Sequence, residues 1–121
     1  MIQTRYSPPN SIIAISDPAG GDIPDPPESS RIAATSSFLV VGCLSFMDGE
    51  TEFTLGNGKE INPGEAPAFD GILETPSYAI QVATVLDEVL LRADVPTDHT
   101  RVRVWTNHPK WPNRVIIGLG D

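Results

Sequence analysis

Phe38-Leu39-Val40-Val41-Gly42-Cys43-Leu44 carries no polar side chain across seven consecutive positions. A short run that is apolar on both faces is read as a strand covered on both sides, at the centre of a sandwich. It lies within Arg31 to Phe46, the strongest core-strand region of the chain. Downstream, Met47-Asp48-Gly49-Glu50 reads as an Asp-Gly hairpin turn into a strand over Thr51 to Leu55. Asn57-Gly58 marks a second tight turn, and Asn62 to Ala68, with two prolines, reads as loop. Upstream, Ser11 to Ser16 can form one strand. Asp17 to Ser29 holds four prolines and two glycines, so it is expected to be an irregular, exposed, acidic loop. Its length suits a functional or mobile segment.

Toward the C-terminus, Arg101-Val102-Arg103-Val104-Trp105-Thr106 alternates cleanly. Val102 and Val104 fall on one face, and Arg101, Arg103 and Trp105 on the other. Arg114 to Leu119 closes the chain as a last strand. Thr75 to Ala93 is ambiguous, because Val82, Val85, Leu86, Val89 and Leu90 fit a helical stripe while Tyr78, Ile80, Val82, Thr84 and Leu86 fit strict alternation. The density of β-branched residues favours two strands with a turn at Asp87-Glu88. With 121 residues, twelve prolines and ten glycines, the chain reads as all-β. The expected architecture is a single-domain antiparallel β-sandwich over residues 1–121, with seven to nine short strands.

The net charge is −8, which argues against binding nucleic-acid backbones or anionic membranes and permits attraction to a basic protein. Residues 17–88 hold thirteen acids and two bases, whereas residues 89–121 hold three acids and five bases. The single Cys43 cannot form an internal disulfide, and Met1 to Asn10 has no apolar core of a signal peptide. A cytoplasmic location is the resulting expectation.

No catalytic or metal-binding motif emerges, and neither an enzyme nor a cofactor is expected. Apolar neighbours of Cys43 would raise its thiol pKa and disfavour the thiolate. His99 and His108 sit in turns, where an exposed histidine is ordinary. Asp48, Glu50 and Glu52 alternate, so their carboxylates could share a face. Such oxygens suit a hard cation, but no calcium-loop pattern accompanies them, and a solvated surface explains them equally. Arg101, Arg103 and Trp105 are interface-type residues, although arginine stems also simply cover apolar sheet surface. Trp105 and Trp111 can equally pack at the sandwich edge beside Pro109 and Pro112.

The block Val89-Leu90-Leu91-Arg92-Ala93-Asp94-Val95-Pro96, a short turn, then Arg101 to Pro109 (RVRVWTNHP) resembles the competence-associated nuclease inhibitors of the ComJ type. The match covers about twenty residues. The resemblance implies an all-β domain whose partner is a protein, with inhibition as its activity. An acidic surface can occupy the cationic site of a nuclease or toxin. The candidate partner-binding residues are Asp17, Asp22, Asp25, Glu28, Asp48, Glu50 and Glu52, with Arg101, Arg103 and Trp105. The alternatives are a small-ligand or metal-binding sandwich, and a homodimer or other homo-oligomer joined through the Arg101/Arg103/Trp105 face. If the 17–29 loop is exposed, changing Asp17, Asp22, Asp25 and Glu28 to amides should leave folding nearly unchanged.

Overall fold

The computed structural model describes all residues except 9–10, 25–31, 45–46, 109–111 and 121. Its strands are β1 (Ile2–Tyr6), β2 (Ile12–Ser16), β3 (Ile32–Ala34), β4 (Phe38–Gly42), β5 (Thr51–Asn57), β6 (Phe69–Glu74), β7 (Ala79–Thr84), β8 (Val89–Asp94), β9 (His99–Thr106) and β10 (Arg114–Leu119). One turn of helix, α1 (Gly58–Ile61), follows β5. The first sheet has the order β1-β5-β10-β9-β6 and the second β3-β4-β2-β7-β8. The chain is therefore an all-β sandwich, as expected, with ten strands among the described residues. One pairing departs from the antiparallel expectation: β10 runs parallel to β5 and antiparallel to β9.

The two sheets meet through side chains that alternate along their strands. Ile13, Ile15, Leu39, Val41, Ile80 and Val82 come from the second sheet, and Phe53, Leu55, Val102, Val104, Val115 and Ile117 from the first; all are buried. Cys43 is buried in the same cluster. Fully burying one such side chain contributes roughly 1.5–3 kcal/mol before entropy is counted. The segment that fitted both helix and strand forms β7 and β8. Asp87 takes a left-handed φ of 62° in the turn between them, a conformation that Asp tolerates and a helix interior does not use.

Two turns behave differently from their expected roles. Asp48-Gly49 does not close a hairpin, because β4 and β5 belong to different sheets. Both edges of β4 are already occupied, by β2 and β3. The apolar side of β5 must then face β4 across the core, so the chain crosses over. Asn57-Gly58 likewise opens α1, because the Asn57 side chain accepts a hydrogen bond from the Lys59 N–H at 2.9 Å and caps the helix. A side chain at Gly58 would collide with the Arg103 guanidinium and stand 2.7 Å from the Gly120 carbonyl oxygen.

Strands β1 and β6 were not expected. Both lie at edges of the first sheet, and β6 has a single fully buried side chain, Leu73, so neither has an apolar face to reveal it.

Val41→Asp should abolish the cooperative thermal transition followed by circular dichroism. Val41 is wholly buried, and an unpaired carboxylate there costs several kcal/mol of a total stability of roughly 5–15 kcal/mol. A soluble variant that still melts cooperatively would remove β4 from the core.

Candidate functional site

The acidic residues collect at the two ends of the sandwich. At one end the loop after β2, the residues before β4 and the β6–β7 and β8–β9 connections are tied together. The Asp22 N–H donates to Ser37 Oγ at 2.8 Å, Thr35 Oγ1 donates to the Asp22 carbonyl oxygen at 2.6 Å and Ser36 Oγ donates to Glu74 Oε2 at 2.8 Å. The Thr75 N–H donates to the Asp98 carbonyl oxygen at 2.6 Å. Asp22, Glu74 and Asp98 are thus exposed together at this end. Asp25 and Glu28, also expected to bind a partner, lie outside the described residues.

Asp17 corrects an expectation. Its carboxylate is buried rather than exposed. Oδ1 accepts from the Ala19 N–H at 2.8 Å, and Oδ2 accepts from the Ser77 N–H at 2.7 Å. Burial pushes its pKa up, but the bonds from Ala19 and Ser77 and the charge of Arg92 outweigh this and hold it below the usual aspartate value. Asp17 is an internal tie between the end of β2 and the β6–β7 connection. The carboxylate supplies acceptors to one backbone donor in its own loop and one in the distant β6–β7 connection, and only the first is visible locally.

At the opposite end, Ser7 Oγ donates to the Gly49 carbonyl oxygen at 3.0 Å and the Tyr6 hydroxyl to Glu88 Oε2 at 2.8 Å. The Tyr6–Glu88 bond raises the tyrosine pKa, with burial and the Glu88 charge adding to it. Consecutive residues at the end of β1 therefore bring the Asp48-Gly49-Glu50 crossing beside the Asp87-Glu88 turn. Sequence reading used Asp87 and Glu88 only as a turn signal. Glu52 stands apart from its sequence neighbours: half-buried on β5, it is met by Arg5 at 3.0 Å and Arg114 at 3.7 Å. Among the described residues no cation pairs with Asp48, Glu50 or Asp87. No group of three or more His, Cys, Asp or Glu side chains among the described residues could hold a metal ion.

Arg101, Arg103 and Trp105 do share the outer face of the first sheet, but most of their polar groups are engaged internally, Arg103 Nε being buried without a partner among the described residues. Arg101 grips Asp70 with Nε on Oδ1 at 3.0 Å and Nη2 on Oδ2 at 2.7 Å. Those bonds hold the Asp70 pKa below its usual value against a smaller effect of burial. The Arg103 guanidinium carbon lies 5.4 Å from the Trp105 ring centroid, and Nη2 donates to the Gly120 carbonyl oxygen at 3.1 Å. Trp105 is buried, and its Nε1 donates to the Glu65 carbonyl oxygen at 2.9 Å.

The outer face of the second sheet carries a feature that the sequence reading missed. A groove of about 660 Å³ runs over Ile12, Ala14, Phe38, Val40, Ala83 and Val89. The 18–24 loop forms one wall and the 84–87 turn the other. The available signal was the two-faced apolar character of Phe38 to Leu44. One face meets the other sheet; the groove lies over the other.

No protein-family model matches the chain, and no curated protein matches it by sequence. Among solved structures the fold is similar to the crystal structure of ComJ, inhibitor of the DNA degrading activity of NucA, from Bacillus subtilis. The TM-score is 0.71 at 11% sequence identity, covering 100% of this chain and 96% of that one. The resemblance seen over residues 89–109 is thus matched by the architecture of the whole chain. What the likeness shows is the fold. No helix among the described residues is long and apolar enough to cross a membrane.

The depressed pKa of Asp17 fixes the sign of a pH effect. Its contribution to stability is present above the unfolded pKa near 3.8 and is lost as pH falls through the lower folded value. Asp17→Asn should lower stability by about 1–3 kcal/mol at neutral pH, the scale for buried bonds to a charged group. It should also flatten the acid limb of urea-unfolding free energy against pH. An unchanged midpoint at neutral pH would remove the tie.

Proposed function

We propose that the chain is a non-enzymatic protein-binding inhibitor that blocks a basic nuclease or toxin through its acidic ends. The observation that carries this reading is the gathering of Asp48, Glu50 and Asp87, without cations to pair them among the described residues, on a fold similar to that of ComJ. Nuclease sites hold phosphates and are commonly cationic. Carboxylates opposite them speed encounter and form close charge pairs on docking. Asp22 adds to the acidic surface at the other end, and Asp25 and Glu28, outside the described residues, are included in the proposed partner-binding set. The internal engagement of Arg101, Arg103 and Trp105 favours the acidic surface over a homodimer built on that face. With Cys43 the single cysteine of the sequence and buried in the core, no internal disulfide can form, which is compatible with a reducing, cytoplasmic setting.

The test is capture from the source cell on immobilised protein at low and high salt, followed by assay of the purified partner. A basic protein should be retained, and its nuclease or toxic activity should stop on adding the chain. Affinity should fall at least tenfold between about 50 and 300 mM salt, as the screening length shortens. Asp48→Asn/Glu50→Gln/Asp87→Asn should weaken binding at least tenfold at low salt, while stability stays within about 0.5 kcal/mol per site. Retention that ignores both salt and these substitutions would sink the proposal, as would a retained partner whose activity persists.

A further inference from the structure

An exposed face of an antiparallel sheet ordinarily alternates with the core as a polar surface. The second sheet does not. Cα pairings place Ala33 beside Val40, Val40 beside Ala14, Ala14 beside Ala83 and Ala83 beside Val89. One apolar row thus crosses all five strands on the side away from the core. Ala14 and Ala83 at its centre lie between Val40 and Val89, so the row is low in the middle. The next row, Phe38, Ser16, Gln81 and Arg92, turns polar toward β8.

The walls add exposed apolar side chains, with Ile23 74% and Val85 39% exposed, and Val89 on the floor is 49% exposed. Exposed hydrophobes concentrated around a concave floor mark a contact surface more often than isolated ones do. The charge around them is one-sided. Asp87 lines the groove and Glu88 follows it, while no lysine or arginine lines it among the described residues. Arg92, in the neighbouring row, is drawn toward the buried Asp17 instead.

We propose that this groove seats a short apolar segment of the protein partner, flanked by a lysine or arginine that meets Asp87 and Glu88. The inference rests on the proposed inhibitor function and names the feature that the basic partner presents. The apolar floor supplies the desolvated centre of the contact, and the carboxylates at one end set its direction.

The probe is the synthetic peptide acetyl-Lys-Leu-Trp-Leu-Lys-amide, titrated into the full 15N-labelled chain and followed by amide chemical shifts. Saturable shifts are expected at Ala14, Val40, Ala83 and the 18–24 loop. Ile23→Ser/Val89→Thr should weaken binding at least tenfold without lowering the melting point beyond a few degrees. Replacing both peptide lysines by glutamates should weaken it at least fivefold at low salt. The inference falls if shifts are absent at about 2 mM peptide, if they map elsewhere, or if the glutamate peptide binds equally. Dodecanoate entering a groove that refuses the peptide would overturn it in favour of a small-ligand site. Groove shifts that grow with protein concentration alone would overturn it in favour of a second copy. A groove that ignores the peptide, in a chain that still captures a basic protein through Asp48 and Glu50, removes this inference and leaves the inhibitor function standing.

Discussion

The central strands β2 and β4 are apolar on both faces, and the rest of the molecule is arranged around covering them. Their inward residues, Ile13, Ile15, Leu39 and Val41, meet the first sheet and are fully excluded from water. Registers of Ile13 with Val41 and Thr84, and of Ile15 with Leu39 and Val82, keep these side chains on one side. A slip of one residue would exchange the two faces. Because both are apolar, hydrophobicity alone discriminates weakly between the registers. Size does the discriminating: the large residues are inward, and the outer row is built on Ala14, Ala33 and Ala83. A slipped register would put alanines into the core and leave cavities there, at a cost that rises with the volume left empty.

Charge plays a different part from packing. The Arg101–Asp70 pair is bidentate but about 40% exposed on each side, so its net contribution is on the order of 0–1 kcal/mol. Glu52 takes two arginines, from β1 and β10, the antiparallel and the parallel neighbour of β5. These pairs engage Arg5, Arg101 and Arg114, three of the eight lysines and arginines of the chain. The carboxylates at the crossings and turns are left facing solvent, where their mutual repulsion costs little in high dielectric. A surface of this kind stays soluble alone and releases repulsion when a cation docks. That is why the acidic ends, rather than the arginine–tryptophan face, carry the functional proposal.

How much of this was legible in the residues depends on where each element sits. The strands β2, β4, β9 and β10 were readable because central strands show their burial as pattern, down to the limits Arg114–Leu119 of β10. The β7–β8 pair was separable from a helix by its β-branched residues, and Asp87 in the left-handed region shows why the break falls there. Edge strands β1 and β6 were not readable, since half of their contacts are with water. Local turn signals were read with the right residues and the wrong partners. Asp48-Gly49 and Asn57-Gly58 specify that the chain bends, but which strand follows next in the sheet is settled by long-range pairing. Of the candidate site, Asp22, Asp48 and Glu50 could be placed on the surface from sequence. Asp17 could not, because its role depends on a donor sixty residues away, at Ser77.

That misread carboxylate links the fold to the groove. Asp17 fixes the start of the 18–24 loop against the β6–β7 connection, and Asp22 with Thr35 and Ser37 fixes it again further on. Between these ties, a side chain at Gly21 would collide with Ser37, so the loop lies flat against the end of the sheet. A proline-rich segment held at both points loses little further freedom when a partner touches Ile23 or Pro24. The ordering cost that weakens loop-mediated binding is met during folding instead. Residues 18–24 are therefore better understood as one preformed wall of the groove than as a flexible negative arm. The proposed contact and the stability of this segment converge on the same buried carboxylate.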